Sequence, residues 1–322
     1  MNISATKGES LREWIEQHRG DIDEALWSDG YVLFRGFDVG GLEGFEHCAA
    51  SACNALYKHY GDLPLASASE NVYFATPYPK HLEIQFHNEA SHTHTWPSRQ
   101  LFYCLEPASE GGEWTLSDGR EVLRMLPAAM LERFRERGLV YRRRFIRGLD
   151  ASWQQFFQVR NLDELRDKIV PTGHEIDAPS ENDVTVSFRT HAVLPLPERG
   201  TEAWFNQILL HHPDALPPEV DALLRKHFSR DKFPRTVFFG DGSVIPAEWV
   251  KTIDAALNES SIRIRTQAND VLLVNNLLMA HGRRPYSGNR QIRVALGDMQ
   301  IAAPGRSAAG DGSLQPTLRR AG

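Results

Sequence analysis

Apolar residues recur at helical spacing near the start of the chain. Leu11, Trp14, Ile15 and His18 lie three to four apart and predict a short amphipathic helix over residues 8–19. Residues 21–26 predict a second helical piece and 41–60 a longer one. Between them Tyr31-Val32-Leu33-Phe34-Arg35, flanked by Gly30 and Gly36, reads as a buried strand. Residues 83–104 alternate aromatic and polar positions, which predicts two strands around a loop containing Trp96-Pro97. Further helices are predicted at 127–138, 162–169, 217–228 and 246–257, the first opened by proline and closed by glycine. Strands are predicted at 141–146, 183–189, 203–210, 261–267, 270–275 and 291–299. The strands come in runs and the helices stand apart from them. This predicts a mainly β fold with flanking helices, an antiparallel sandwich or barrel, and not a doubly wound sheet. No break in composition divides residues 1–301, so they are expected to form one domain. Residues 302–322, rich in Gly, Ala, Ser and Pro, read as a disordered tail.

The chain has 322 residues, 41% of them hydrophobic, enough to bury a core without a disulfide staple or a structural metal. A formal net charge of -6 argues against nucleic acid as a partner. Cys48, Cys53 and Cys104 are too few for a disulfide framework and fit a reducing cytoplasm. No apolar run is long enough to span a membrane, and Met1-Asn2-Ile3-Ser4 does not begin a secretory signal. A cytoplasmic enzyme with no membrane partner is therefore expected. The sequence is silent on oligomeric state.

The chemistry is concentrated in His87-Asn88-Glu89. On a strand, residues two apart share a face, so His87 and Glu89 can present an imidazole and a carboxylate to one metal. His281, just after the apolar run 271–274 and Asn275-Asn276, is the best third ligand. Two histidines and one carboxylate form the facial triad of non-haem iron(II) oxygenases. That set leaves room for 2-oxoglutarate and dioxygen. A dicarboxylate co-substrate also needs a buried cation, and guanidinium offers a planar, permanently charged fork. Arg290 shares strand parity with Ile292, Val294 and Leu296, which should face inward, whereas Arg293 should face the other way. Arg290 is thus preferred, with Arg293 second.

Candidate substrate contacts are Gln85, on the parity of His87 and Glu89, together with Arg189, Asn206 and Gln207. For Arg189 a structural ion pair is an equal alternative, and for Asn206 and Gln207 structural hydrogen bonding is the better one. His92 and His94 read as members of a polar loop over the cavity rather than as ligands. His211 and His212, being adjacent, would point to opposite faces of a strand.

Several stretches carry a resemblance: 30–37, 86–89 with Trp96-Pro97, 107–113, 118–120, 203–207, 240–243 and 280–285. Over roughly residues 30–300 the chain resembles the taurine/2,4-dichlorophenoxyacetate dioxygenase-like superfamily of iron(II)/2-oxoglutarate oxygenases. Within it, the chain is most similar to the clavaminate-synthase-like and syringomycin-type amino-acid hydroxylases. The resemblance implies a double-stranded β-helix, or jelly-roll barrel, with His87, Glu89 and His281 as metal ligands and Arg290 on the far carboxylate of 2-oxoglutarate. It also implies oxidative decarboxylation of 2-oxoglutarate to succinate, coupled to hydroxylation of an unactivated C–H bond. The substrate implied is an amino acid or a derivative, free or tethered to a carrier protein, in specialised metabolism such as antibiotic biosynthesis. Desaturation or cyclisation would start from the same substrate radical. Halogenating relatives replace the carboxylate ligand by a small residue, and Glu89 is present here. The family's threonine after Gly-Gly-Glu is displaced by one position, since Trp114 precedes Thr115. Thr115 can contact the co-substrate only if a bulge restores its direction. Two rival readings are a zinc-dependent hydrolase using the same three ligands, which leaves Arg290 unexplained, and a non-catalytic jelly-roll binding protein.

Overall fold

The computed structural model describes residues 1–6, 8–58, 69, 71–146 and 152–302, with the backbone of Arg319 and Arg320. Two sheets face each other. The larger runs in the order Asn2–Ser4, Tyr31–Arg35, Val271–Asn275, Thr95–Glu106, Gln291–Ile301, and Val72–Phe74 also pairs with the last of these. The smaller is antiparallel, in the order Ser261–Ile264, Trp114–Asp118, Met279–Arg283, Ile84–His87. Phe102, Leu272, Ile292, Val294 and Leu296 from the larger sheet pack against Trp114, Leu116, Met279 and Ile264 from the smaller. Strands buried on both faces read as continuous apolar runs. Val271-Leu272-Leu273-Val274 is such a run, with every residue at 0% exposure.

Helices cover the outer faces, as the segregated pattern predicts. Ser10 caps the helix Leu11–Gln17 by accepting from the Glu13 amide, and Leu11 and Ile15 drop from it onto Val32, Phe34, Leu273 and Ala295. The helix Ala247–Glu259 lays Val250, Ile253 and Leu257 into a cluster with Ala280 and Phe86, behind the smaller sheet. A further antiparallel sheet, Arg235–Phe239, Leu139–Phe145, Asp183–Thr190, His174–Ser180, is set apart from these two.

The structure departs from the predicted elements at several points. The helix predicted over 41–60 is Gly41–Ala52. The Asn54 and Ala55 amides donate to the Asp298 carboxylate and the Tyr57 amide to the Leu296 carbonyl, so the long last strand captures the chain and unwinds it. Residues 59 and 60 of that prediction lie outside the described residues. Trp96-Pro97 belongs to the strand Thr95–Glu106, not to a loop, and the loop spans residues 88–94. Proline suggested a break, but Trp96 and Pro97 pair with Gln300 and Met299, and only the proline's missing donor is lost. The strand predicted over 203–210 ends at Trp204. Beyond it the Asn206 side chain accepts from the Ile208 amide and starts the short helix Ile208–His211. Of the predicted tail, residues 303–318, 321 and 322 lie outside the described residues, while Arg319–Arg320 pair with Gln300 and Ile301.

Phe134 is fully buried, with its ring centroid 5.1 Å from that of Trp204 and 5.0 Å from that of Phe239. Phe134→Ala should lower stability by about 3–4 kcal/mol, read from urea unfolding. A loss below about 1 kcal/mol would mean that this cluster is not packed as described.

Candidate metal centre

His87 ends its strand directly opposite His281 in the smaller sheet, and the two ring centroids are 4.2 Å apart. Glu89 follows in the loop, with Oε2 3.9 Å from His281 Nε2. One ligand atom from each of the three residues lies within 4.8 Å of the others. His87 Nδ1 is 2.9 Å from the Gln85 carbonyl oxygen. A carbonyl can only accept, so Nδ1 carries the proton and Nε2 presents its lone pair to a metal. Burial, with His87 as a second cause, holds His281 well below the usual histidine range, so its ring stays neutral. Gln100, at 1% exposure, donates from Nε2 to Glu89 Oε2 at 3.1 Å and fixes the carboxylate.

The register of the strand that carries His87 explains which neighbours face the cavity. Ile84 pairs with Arg283 and His87 with His281, so three steps on one strand match two on the other. This bulge puts Ile84 on the cavity side with His87 and takes Gln85 away from it. Gln85 is therefore not a cavity residue, and its carbonyl supports His87 instead. Gly282 faces the bulge. A Cβ there would stand 2.5 Å from the Ile84 carbonyl oxygen.

The loop carrying Glu89 is clamped by amides. Asn276 accepts from the Glu89 amide at 2.7 Å and donates to the carbonyls of Glu89 at 3.0 Å and Pro97 at 2.8 Å. Asn88, wholly buried between the two ligands, donates to the Asn276 carbonyl at 2.8 Å and accepts from the Asn206 amide at 3.2 Å. Gln207 donates to the Asn88 carbonyl at 2.9 Å. Asn206 and Gln207 thus brace the ligand loop and do not line the cavity. Asn88, Gln100 and Asn276 were not anticipated from sequence. Their signal was polar side chains in stretches that fold as buried, where each must find partners.

A cavity of about 300 Å³ opens beside the triad, walled by Phe102, Trp114, Leu116, Ile292 and Val294. Arg290 lines it with Ile292 and Val294, but so do Gln291 and Arg293, because the ladder shifts register at Gln291/Ile292 and strict alternation is lost there. The Arg290 Nε is buried without a hydrogen-bond partner among the described residues. Burial, and next the charge of Arg283, pull its pKa down to about 10, so it remains a cation in want of an anion. Gly112 makes room for it, since a Cβ there would fall 3.1 Å from Arg290 Cδ. Arg293, half-buried, also lines the cavity, with its guanidinium over the Phe74 ring at 4.3 Å and its Nε likewise buried without a hydrogen-bond partner among the described residues. Arg283, also not anticipated, donates to the carbonyls of Pro79 at 3.0 Å and Leu82 at 2.9 Å and ties that loop to the cavity wall.

Two further expectations are corrected. Thr115 pairs with Gly282 on an unbulged ladder, so Trp114 and Leu116 face the cavity and Thr115 does not. Arg189 sits on the separate sheet, exposed, paired with Glu175 and donating to the Gly240 carbonyl at 3.0 Å. It is the structural ion pair that the sequence left open.

Two imidazoles and a carboxylate converging beside a cavity with a buried guanidinium suit a ferrous ion and a dicarboxylate co-substrate. The model of the taurine catabolism dioxygenase TauD, TfdA family matches residues 2–296. The chain belongs to this family of iron(II)/2-oxoglutarate-dependent oxygenases. It is 32% identical over 296 residues to the dapdiamide synthesis protein DdaC of Enterobacter agglomerans, covering 92% of this chain and 89% of that protein. It is 27% identical to a clavaminate synthase-like protein of Arabidopsis thaliana, covering 88% and 86%. The crystal structure of an asparagine oxygenase with Fe(II), hydroxyasparagine and succinate shares the fold. Its TM-score is 0.57 at 12% identity, covering 92% of this chain and 93% of that one.

Asn276→Ala removes two hydrogen bonds from Glu89 and a third from Pro97 on the adjoining strand. Iron(II) affinity should fall about 10- to 100-fold in an anaerobic titration. Unchanged affinity would show that the clamp does not position Glu89.

Proposed function

We propose that this chain hydroxylates an unactivated C–H bond of an amino acid or an amino-acid-derived small molecule, free or carrier-tethered. His87, Glu89 and His281 hold iron(II), and Arg290 holds the far carboxylate of 2-oxoglutarate. The observation that carries this reading is the convergence of the three ligand atoms within 4.8 Å on the wall of the cavity that Arg290 lines. Similarity to a dapdiamide synthesis protein supports an amino-acid-derived substrate. We read the two facing sheets as the halves of a double-stranded β-helix and residues 1–301 as one domain. The three cysteines are buried, and burial pushes their thiols up to about 12, 12 and 11, which leaves them little reactivity.

When bound, iron(II) supplies the oxidising chemistry, in which dioxygen and 2-oxoglutarate are consumed to give succinate, carbon dioxide and the hydroxylated product. The protein supplies geometry and exclusion of water. His281, kept neutral by burial, offers a lone pair without first losing a proton, and the Gln85 carbonyl orients His87 through Nδ1. The Gln100 amide turns one Glu89 oxygen into a fixed acceptor. Arg290 sets the direction in which a dicarboxylate enters, and the apolar walls keep the reacting carbon away from solvent.

Glu89→Ala should abolish iron-dependent succinate formation. Arg290→Ala should raise the KM for 2-oxoglutarate about 30-fold, corresponding to about 2 kcal/mol of a charge-assisted contact, and Arg293→Ala less than about threefold. The opposite order would reassign the co-substrate arginine. Zinc-dependent hydrolysis with no succinate formed would overturn the oxygenase reading.

A further inference from the structure

A second chamber, of about 500 Å³, lies beyond the ligand loop. Tyr141, Arg143 and Phe145 alternate along one strand of the separate sheet and line it, with Val186 and Phe188 from the next strand. Residues 92–95 contribute to its lining as well. His87 and Glu89 line the metal cavity and His92 to Thr95 line this one, so one short stretch of chain serves both spaces. Nothing in the chemistry above uses the chamber.

Phe145, Phe156, Phe157 and Phe188 give it an apolar lining. Against that background His211 is conspicuous. It is 3% exposed, and neither ring nitrogen has a hydrogen-bond partner among the described residues. Its ring centroid lies 5.0 Å from that of Tyr141 and 5.2 Å from that of His92. Buried polar groups are normally paired, and a site that leaves an imidazole unmatched is shaped for something that matches it. Burial holds His211 well below the usual histidine range, and the charges of His92, Arg235, Arg143 and His87 add to this. The neutral ring offers one N–H and one lone pair. The Tyr141 hydroxyl accepts from the Gln207 amide at 2.8 Å and keeps its own proton to donate. A carboxylate would suit Lys58, Arg142, Arg143 and Lys168, which also line the chamber, but at His211 it would only accept and leave the imidazole lone pair unmet. An ammonium would only donate, and among the described residues lining the chamber there is no Asp or Glu to meet it. An amide both donates and accepts.

We propose that this chamber binds the acceptor substrate through a secondary amide, which meets His211 and Tyr141 while an apolar substituent lies among the phenylalanines. The proposal rests on the oxygenase reading, because it places the acceptor beside the loop that carries Glu89. The amide has two chemical sources, an N-acylated amino acid or the pantetheine arm of a carrier.

The test is binding to the full-length, metal-free protein by calorimetry. The probes are N-acetyl-L-phenylalanine, its ester isostere O-acetyl-phenyllactate, and pantetheine. His211→Phe should weaken N-acetyl-L-phenylalanine about tenfold and leave the ester within about twofold, and His211→Gln should recover part of the loss. The retained ester binding shows that the variant is folded. Tighter His211-dependent binding of N-acetyl-L-phenylalanine assigns the amide to the substrate, and of pantetheine to the carrier arm. Equal weakening of amide and ester, displacement of the probes by 2-oxoglutarate, or no saturable binding of any probe would overturn the proposal. Succinate formation by the iron-loaded wild type is scored separately, so a chamber that fails this test leaves the oxygenase reading standing.

Discussion

The side-chain amide of Asn276 grips both sides of the peptide at Glu89, accepting from its N–H and donating to its carbonyl. Glu89 belongs to no strand, yet it must stand beside two imidazoles fixed in a β-ladder. Without the clamp, the carboxylate would sit on a loop free to reorient. With it, and with Asn88 tied to both Asn276 and Asn206, the loop becomes as well determined as the strand before it. The candidate metal centre therefore depends on buried neutral amides as much as on the three side chains that converge there. Polar networks of this kind are worth having only when fully satisfied.

Charge follows the same economy. The metal cavity has one carboxylate among its described lining residues, Glu89, and several arginines. Arg283 spends its donors on backbone carbonyls, whereas Arg290 keeps Nε unused. Two guanidiniums in one wall repel, and burial adds to the cost, which a bound dianion would offset. The histidines behave alike on both sides of the loop. Burial lowers His281 on one side, and His94, His174 and His211 on the other. Both spaces are thus furnished with neutral imidazoles.

Much of this was legible in the sequence. The convergence of His87, Glu89 and His281 followed from the two-residue spacing of the first two and from the position of His281 after a buried run. Parity placed Arg290 with Ile292 and Val294, and it lines the cavity with them, although it precedes the strand Gln291–Ile301 and the ladder shifts register at Gln291/Ile292. The same argument failed for Gln85, since a bulge opposite Gly282 adds a residue to its strand, and bulges leave little trace in a hydrophobic pattern. It left Thr115 open, and an unbulged ladder turns that residue away. Asn206 and Gln207 make the structural hydrogen bonds that the sequence favours over substrate contact, but what they brace was not legible. Their partners, Asn88 and the Tyr141 hydroxyl, are remote in sequence, and single-chain reading has no access to such pairings.

The central claim is that His87, Glu89 and His281 hold one iron ion together. Anomalous diffraction at the iron edge, from crystals grown anaerobically with iron(II), tests it most directly. A single site ligated by Nε2 of both histidines and by a Glu89 oxygen, with Gln100 still bonded to that carboxylate, is the predicted result. Iron bound elsewhere, or a Glu89 side chain turned away from the two imidazoles, would contradict it.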